Sequence, residues 1–280
     1  MSFGFVCGII RKNVGDVIML LGVISDIHLY RKTDRLVRAL DALKEAEVLL
    51  LCGDLADRAL SEQYVLLDEC IRQRLGNIPV YCVTGNHDNP ARDDSHFRKF
   101  ERTVNPEMTD LTDESGAFYK QISDEIDLIG LNPEYHQKQF FFSQKGKQLD
   151  FLFSSLAVSN TKIHIIMCHP PLIEHNPLRK NGMAPYIVGE QNDKLQRIVD
   201  DAKHTIFISG HTHVSPHVEW DSTHGNLYIN NGSICPTIDE SCDTPRQGNV
   251  TSLNITSEKI SVLIKGIYNG KIFYSETRTL

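Results

Sequence analysis

The chain has 280 residues, of which 41% are hydrophobic, and its formal net charge is -7. This length and composition suffice for one large globular domain with a substantial core. The acidic excess argues against a protein that grips long nucleic acid through its phosphates, because such proteins usually carry a basic surface. No apolar run reaches the roughly 18 residues needed to cross a bilayer, so we expect no membrane-spanning segment.

The cysteines and the first residues indicate where the protein works. Seven cysteines occur without a Cys-x-x-Cys pair, which argues against a structural zinc site and favours a reducing compartment. The basic pair Arg11–Lys12 follows the mildly apolar stretch 1–10, which is the reverse of the order in a signal peptide. We therefore expect a cytoplasmic protein, with residues 1–18 as an N-terminal appendage and residues 19–280 as a single domain.

Strand-like and helix-like segments alternate over the first third of the chain. Apolar residues at helical spacing, such as Leu36, Leu40 and Leu43, predict a helix over 33–46. The pattern predicts strands at 19–25, 48–52 and 78–83 and a second helix at 61–75. This βαβαβ order is typical of a sheet covered by helices.

The rest of the chain predicts a second set of strands. A hairpin is expected at 117–122 and 126–131, helices at 147–156 and 191–201, and strands at 163–168 and 205–209. Short strands follow at 217–220, 226–230, 249–255, 259–265 and 271–275, the last two joined by an Asn-Gly turn. We expect the last third to complete a second sheet. The predicted fold class is α/β (α+β), a four-layer αββα sandwich of two mixed β-sheets flanked by helices.

Polar residues cluster directly after the predicted strands. These residues are Asp26 and His28 after the first strand, Asp54 after the second, Asn86 and His87 after the third, His169 after the strand at 163–168, and His211 and His213 after the strand at 205–209. In α/β sheets, ligands bind beyond the carboxyl ends of the strands. We therefore expect these side chains to converge on one edge.

The predicted edge offers donors for metal ions. Carboxylate, amide and imidazole groups without a thiolate suit Mn, Fe or Zn better than a soft ion or a pure calcium cage. The candidate ligands are seven, namely Asp26, His28, Asp54, Asn86, His169, His211 and His213. They exceed what one ion needs and fit two ions that share a carboxylate. Asp-x-His and His-x-His place alternate residues of an extended segment on the same side.

The same residues resemble a known family. The series Asp26-x-His28, Gly53-Asp54, Gly85-Asn86-His87-Asp88, His169 and Gly210-His211-x-His213 is similar to that of the calcineurin-like metallophosphoesterases, and Gly53–Asp57 with His169-Pro-Pro resembles the bacterial class III cyclic nucleotide phosphodiesterases. The resemblance implies the metallophosphoesterase fold with a binuclear centre. It implies that Asp26, His28 and His213 hold one metal, that Asn86, His169 and His211 hold the other, and that Asp54 bridges both.

The resemblance also implies roles in catalysis. His87 corresponds to the catalytic histidine of the family, Asp57 to the carboxylate that orients it, and Arg58 to an arginine that binds phosphate. We expect two metal ions to deliver a bridging hydroxide to the phosphorus, and His87 to protonate the leaving oxygen. Asp88 is a second candidate for holding the His87 ring.

The expected activity is hydrolysis of a phosphodiester, with cyclic nucleotides as the first class to test, or of a small phosphomonoester. A DNA or RNA nuclease on the same fold is an alternative, although the acidic charge argues against it. A non-catalytic metal-binding scaffold is a third interpretation. Tyr135, His136 and the aromatic run 140–142 are candidates for substrate contact, for core packing or for a homodimer contact.

Overall fold

The computed structural model describes residues 19–90, 93–105, 116–143, 147–178, 187–235 and 248–280. Five α-helices occur in these ranges: α1 (Asp34–Ala42), α2 (Ser61–Leu75), α3 (Ser95–Val104), α4 (Gln148–Val158) and α5 (Gly189–Asp201). The strands are β1 (Met19–Ile24), β2 (Val48–Cys52), β3 (Val80–Val83), β4 (Phe118–Gln121), β5 (Ile126–Leu131), β6 (Glu134–His136), β7 (Gln139–Phe141), β8 (Ile163–Cys168), β9 (Thr205–Ser209), β10 (His217–Asp221), β11 (Asn226–Asn230), β12 (Asn249–Ile255), β13 (Lys259–Gly266) and β14 (Ile272–Thr279). None of these helices combines the length and hydrophobicity that crossing a bilayer requires.

Most of the strands form two six-stranded mixed sheets. The first has the order β14-β13-β12-β1-β2-β3, in which β1, β2 and β3 run parallel and β12 pairs antiparallel to β1. The second has the order β10-β11-β9-β8-β5-β4, with four parallel strands in the centre and an antiparallel strand at each edge. Strands β6 and β7 form a separate hairpin.

Alternating side chains of the strands build the layers. In β2, Val48 and Leu50 pack between the two sheets, whereas Leu49 and Leu51 pack beneath α1, α2 and α3. On the far side, α4 and α5 cover the second sheet. Each buried aliphatic side chain contributes about 1.5–3 kcal/mol to folding. The predicted sandwich of two mixed sheets between helical layers is therefore confirmed.

The assignment of the last third to a second sheet was wrong in part. Strands β10 and β11 do join the second sheet, but β12, β13 and β14 extend the first sheet through β1. Hydrophobic alternation shows that a strand has a buried face, but it carries no information about which strand lies beside it. The division into residues 1–18 and 19–280 remains a prediction, since residues 1–18 lie outside the described ranges.

Helix α3 is rich in charged residues, yet one of its faces is buried. Phe97, Phe100 and Val104 anchor one face of the helix in the core. Arg98 is also largely buried, and it forms ion pairs with Asp94 and Glu101. The charge of Arg98 can be buried because it has an acidic partner about one turn away on either side.

Candidate metal centre

Five strands deliver the predicted ligands to one edge of the sandwich. Backbone hydrogen bonds join the loops that follow β1 and β2, with the Asp26 and His28 amides donating to the Gly53 and Asp54 carbonyls at 3.0 and 2.9 Å. The loops after β8 and β9 are joined in the same way, by the Gly210 amide and the His169 carbonyl at 2.8 Å. The His211 amide donates to the Asp26 carboxylate at 3.0 Å, which joins the loops of the two sheets.

One group of donor atoms lies between the loops after β1, β2 and β9. Ligand atoms of Asp26, His28, Asp54 and His213 all lie within 4.8 Å of one another. His213 Nε2 is 3.1 Å from Asp26 Oδ1, and His28 Nε2 is 2.9 Å from His213 Nε2. Two carboxylates and two imidazoles are therefore close enough together to bind one cation.

A second group shares Asp54 with the first. Ligand atoms of Asp54, His169 and His211 also lie within 4.8 Å of one another, and His169 Nε2 is 3.4 Å from Asp54 Oδ2. His169 Nδ1 donates to the Cys52 carbonyl at 2.8 Å, which leaves Nε2 as the nitrogen that can bind a cation. A single carboxylate therefore belongs to two neighbouring sets of donors.

Two buried atoms at this centre lack the hydrogen bonds that buried polar atoms normally make. Asn86 Oδ1 and His169 Nε2 make no hydrogen bond to any group that the structure describes. A buried polar atom without a partner costs free energy, and such atoms need an explanation. A cation would satisfy both, so the residues fit a pair of metal ions held by nitrogen and oxygen donors.

The backbone at the centre is strained. Asp26, His28, Asp54, His211 and His213 all have positive φ angles, between 44° and 69°. Residues other than glycine rarely adopt this conformation, and it costs about 1–3 kcal/mol where it is imposed. Five strained donors in one place indicate that the fold holds them there for a function.

Glycines make room for these ligands. A Cβ atom on Gly85 would overlap the Asp54 carboxylate, and one on Gly210 would overlap Ser25 and the Asp26 carboxylate. Any larger residue at either position would push a predicted ligand aside. The glycines of the sequence motifs are therefore needed for close approach of the loops.

The centre is electrostatically coupled. Burial favours the neutral form of Asp54, but His169 and His28 outweigh burial and hold the pKa of Asp54 well below its usual value. Burial likewise lowers the pKa of His169, but Asp54 and Asp26 raise it to about 9. Burial and the nearby His169 lower the pKa of His211 to about 3, so that His211 is neutral and able to bind a cation at pH 7.

His87 lies beside the first donor group. Its ring packs edge-on against His28, with 4.5 Å between ring centroids, and its amide donates to Asp54 Oδ1 at 2.7 Å. Ring atom Nδ1 bonds to the backbone carbonyl of Asp57 at 2.8 Å. The Asp57 carboxylate lies close to both rings, but the carbonyl rather than the carboxylate accepts from His87.

Comparisons with known proteins agree with this geometry. The sequence model of the calcineurin-like phosphoesterases matches residues 19–215. The chain belongs to the calcineurin-like phosphoesterase family. Membership makes it a phosphoric ester hydrolase of a metal-dependent family, and the Asp and His groups of the phosphoesterase are suited to metal binding.

A curated relative and two solved structures are similar to this phosphoesterase. A probable cyclic nucleotide phosphodiesterase of Fibrobacter succinogenes is 32% identical over 223 residues, which cover 73% of this chain and 77% of the relative. GAP50, the anchor in the inner membrane complex of Plasmodium, has a TM-score of 0.61 at 12% identity and covers 94% of this chain and 89% of its own. TT1561 of Thermus thermophilus has a TM-score of 0.54 at 12% identity. This match covers 94% of this chain and 99% of TT1561. The two structures are similar in fold alone.

Asp88 has a different place in the phosphoesterase from the one we expected. Its buried carboxylate accepts from the amides of Leu55, Ala56 and Gly85 and from the Tyr64 hydroxyl, the last at 2.8 Å. It therefore ties the loop after β2 to the loop after β3 and does not hold the His87 ring. Tyr64 was missed, because nothing near it in the helical pattern of α2 signals a partner so distant in sequence.

Arg58 stands at the rim of the centre. Its side chain is 66% exposed, with Nε 3.5 Å from Asp57 Oδ2, and its guanidinium lies over the Tyr30 ring at 5.1 Å from the centroid. Tyr30 was not predicted as a site residue, although it lies only two residues after His28. Arg58 thus lies beside Asp57 and Tyr30, and its role in binding phosphate stays a prediction.

The small hairpin covers the second donor group. Phe140 of β7 is buried, and its ring packs edge-on against His211 at 4.9 Å between centroids. Tyr135 of β6 packs against Phe140 at 4.8 Å. His136 is exposed. Of the residues considered for substrate contact, Phe140 thus packs directly behind a predicted ligand and Tyr135 lies beside it.

Proposed function

We propose that the protein hydrolyses phosphodiester or small phosphomonoester bonds with two metal ions, Mn, Fe or Zn, and that cyclic nucleotides are the first substrate class to test. The observation that carries the proposal is the position of Asp54, whose carboxylate belongs to two adjacent donor groups. One carboxylate between two sets of ligands is the arrangement that a pair of ions in contact with one phosphate requires.

The predicted ligands divide between the two positions. Asp26, His28 and His213 would hold one cation, Asn86, His169 and His211 the other, and Asp54 both. Cations bound there would act as Lewis acids, supplying hydroxide from a shared water at neutral pH and offsetting the charge on the phosphate. The chain itself keeps the donors in place through strained backbone and paired loops, so that little reorganisation is needed at the moment of reaction.

His87 is the group that can protonate the leaving oxygen. Its Nδ1 is engaged by the Asp57 carbonyl, which fixes the ring and leaves Nε2 available. An imidazole can both hold and release a proton, and therefore suits general acid catalysis. At the second position, Phe140 packs against His211, which excludes water from that side and keeps the imidazole oriented.

The substrate class rests on the curated relative. The relative from Fibrobacter succinogenes is described as a probable cyclic nucleotide phosphodiesterase, and this supports a test of cyclic nucleotides before other esters. The net charge of -7 continues to argue against long nucleic acid.

The test is a substrate panel on protein reconstituted with Mn. Release of product should be compared for a cyclic nucleotide, bis(p-nitrophenyl) phosphate and p-nitrophenyl phosphate, with bound metal counted by elemental analysis. Metal-dependent hydrolysis of either diester supports the proposal. Two bound ions without hydrolysis of any ester would overturn it in favour of a non-catalytic metal-binding scaffold.

A further inference from the structure

The geometry points to a second recognition site beside the metal centre: Tyr30, Arg31 and Arg58 form a cationic rim that binds a further anionic group of the substrate. The inference rests on the proposed phosphodiesterase activity and names the substrates it favours, namely phosphodiesters that carry an additional phosphate or carboxylate. A cyclic nucleotide, whose charge lies at the bond to be broken, would leave this rim unused.

The rim is joined to the metal centre through the backbone. Leu29 pairs with Ala56 in an isolated bridge, and the Asp57 amide donates to the Leu29 carbonyl at 3.1 Å. These bonds fix Tyr30, two residues after His28, against Arg58, the neighbour of the residue that holds His87. The rim therefore has a defined position relative to the donors and to the proposed acid.

Two guanidinium groups meet on one aromatic ring. The Arg31 and Arg58 guanidinium carbons each lie 5.1 Å from the centroid of the Tyr30 ring. A tyrosine face attracts cations, and this attraction holds the two side chains together despite their like charge. Each guanidinium carries five N–H donors, so that contact with one ring leaves N–H groups available to an anion.

Among the described residues, the positive charges of the rim outnumber its acidic partners. Arg58 lies 3.5 Å from the Asp57 carboxylate, but Arg31 forms no hydrogen bond or ion pair within the part of the chain that the structure describes. Tyr30, Arg31 and the following Lys32 are all exposed. In a chain of net charge -7, an unpaired arginine held beside the metal centre is unusual, and a substrate anion is the partner that its position favours.

The opposite end of the first sheet offers a matched control. Arg278 lies over the Trp220 ring at 5.0 Å, so it too is an arginine packed on an aromatic ring. Its strand register runs from Arg278 through Ile260 and Ile255 to Met19, at the start of β1. The metal centre follows the other end of β1. Arg278→Ala thus removes a similar contact far from the rim.

The experiment compares two esters that differ by one phosphate. Thymidine 5′-(p-nitrophenyl phosphate) and the same ester with a 3′-phosphate are assayed with Mn-loaded protein, and nitrophenolate release gives kcat and KM. We expect kcat/KM to be about 5-fold higher for the 3′-phosphorylated ester, the size of effect that a partly exposed charge pair produces. Raising the salt concentration should shrink the difference.

Variants test whether the rim causes the difference in kcat/KM between the two esters. Arg31→Ala and Tyr30→Leu should abolish the preference by raising KM for the 3′-phosphorylated ester, with kcat and the constants for the simpler ester unchanged, whereas Arg278→Ala should keep the preference. Equal kcat/KM for the two esters with wild-type protein, or an undiminished preference in Arg31→Ala, would overturn the inference and leave the proposed function standing. Hydrolysis of neither thymidine ester would also overturn the inference, whereas the proposed function falls only if no ester of the earlier panel is hydrolysed.

Discussion

Two regions of the molecule bring Asp and His side chains within reach of a common cation, and they differ in nearly everything else. The first is the centre around Asp54. The second, which we call the peripheral group, consists of Asp200, Asp221 and His224. In the centre, Asp26, Asp54 and His169 are fully or almost fully buried, whereas all three members of the peripheral group are partly exposed.

The side chains of the peripheral group already have hydrogen-bond partners. His224 Nδ1 lies 2.5 Å from Asp221 Oδ2, and Asp200 accepts from Tyr228 and Gln196. None of its three members has a positive φ. At the centre, by contrast, five metal-binding candidates have strained backbone and two buried atoms lack hydrogen bonds. Proximity of ligands is thus a weak criterion for a metal site, and buried, strained and unsatisfied donors are a stronger one.

The largest effect is expected where the two donor groups meet. Asp54→Asn removes the charge that both cations would share, so we expect the protein to lose bound metal and its turnover to fall by about 10⁴-fold or more, at or beyond the upper end for a lost acid–base group. Elemental analysis after Mn reconstitution and dialysis measures the first effect. The matched variant Asp221→Asn should retain both metal and activity. Equal metal loss in the two variants would contradict the conclusion that the centre, and not the peripheral group, binds the metal.

Removing His87 should separate catalysis from metal binding. We expect His87→Ala to lower turnover by about 10²–10⁴-fold, the usual range for a general acid, with metal content near normal because His87 is not among the predicted ligands. His96→Ala, which truncates an exposed histidine on α3, is the control. Full turnover in the His87→Ala protein would remove His87 from the mechanism.

Metal binding at the centre should release protons. Asp54 and Asp26 raise the pKa of His169 to about 9 despite its burial, so at pH 7 a cation must displace about one proton from this ring. Below pH 9, affinity should therefore weaken by about 10-fold for each unit that the pH falls. Calorimetric titration with Mn in buffers of different ionisation enthalpy measures the released protons, and a binding enthalpy independent of buffer would contradict this account.

A smaller effect, on stability, is expected at Tyr64. Tyr64→Phe deletes the hydroxyl that donates to the buried Asp88 carboxylate, and we expect the free energy of unfolding to fall by about 1–3 kcal/mol. Urea denaturation of the variant and wild type measures the difference. The amides of Leu55, Ala56 and Gly85 still hold Asp88, so turnover should change little, and a collapse of turnover would mean that Tyr64 positions the ligands directly.

The smallest effect is expected in the peripheral group. His224→Ala removes an imidazole that pairs with Asp221 at the surface, and we expect no change in metal content or turnover. Metal titration of the variant beside wild type checks this. If His224→Ala removed a bound ion, the peripheral group would be a metal site despite its exposure and satisfied contacts.

Local sequence patterns were sufficient for most of the elements and for the grouping of the site. The helix at 61–75 and the strands at 48–52 and 163–168 are as predicted, because hydrophobic period and flanking turn residues are local properties. The expected convergence of Asp26, Asp54 and His169 also occurs. It follows from the rule that parallel strands end at one edge of a sheet.

Contacts between distant residues were not predictable in this way. The pairing of β12 with β1, the tie from Tyr64 to Asp88 and the meeting of Tyr30 with Arg58 each join segments whose own sequences fit several neighbours. The Asp57 carbonyl could not have been foreseen as the partner of His87, since every residue has a carbonyl and only the path of the loop aims this one.

The sequence by itself determined which residues lie at the ends of strands and what chemistry they offer. The alternation of hydrophobic and polar residues and the type of each side chain are local properties of the sequence. Only the tertiary structure decided that the Asp54 carboxylate lies between two donor groups, that five ligands are held in strained backbone, and that two arginines meet on Tyr30. Those outcomes depend on the packing of two sheets and their loops against one another, and packing is a property of the whole chain.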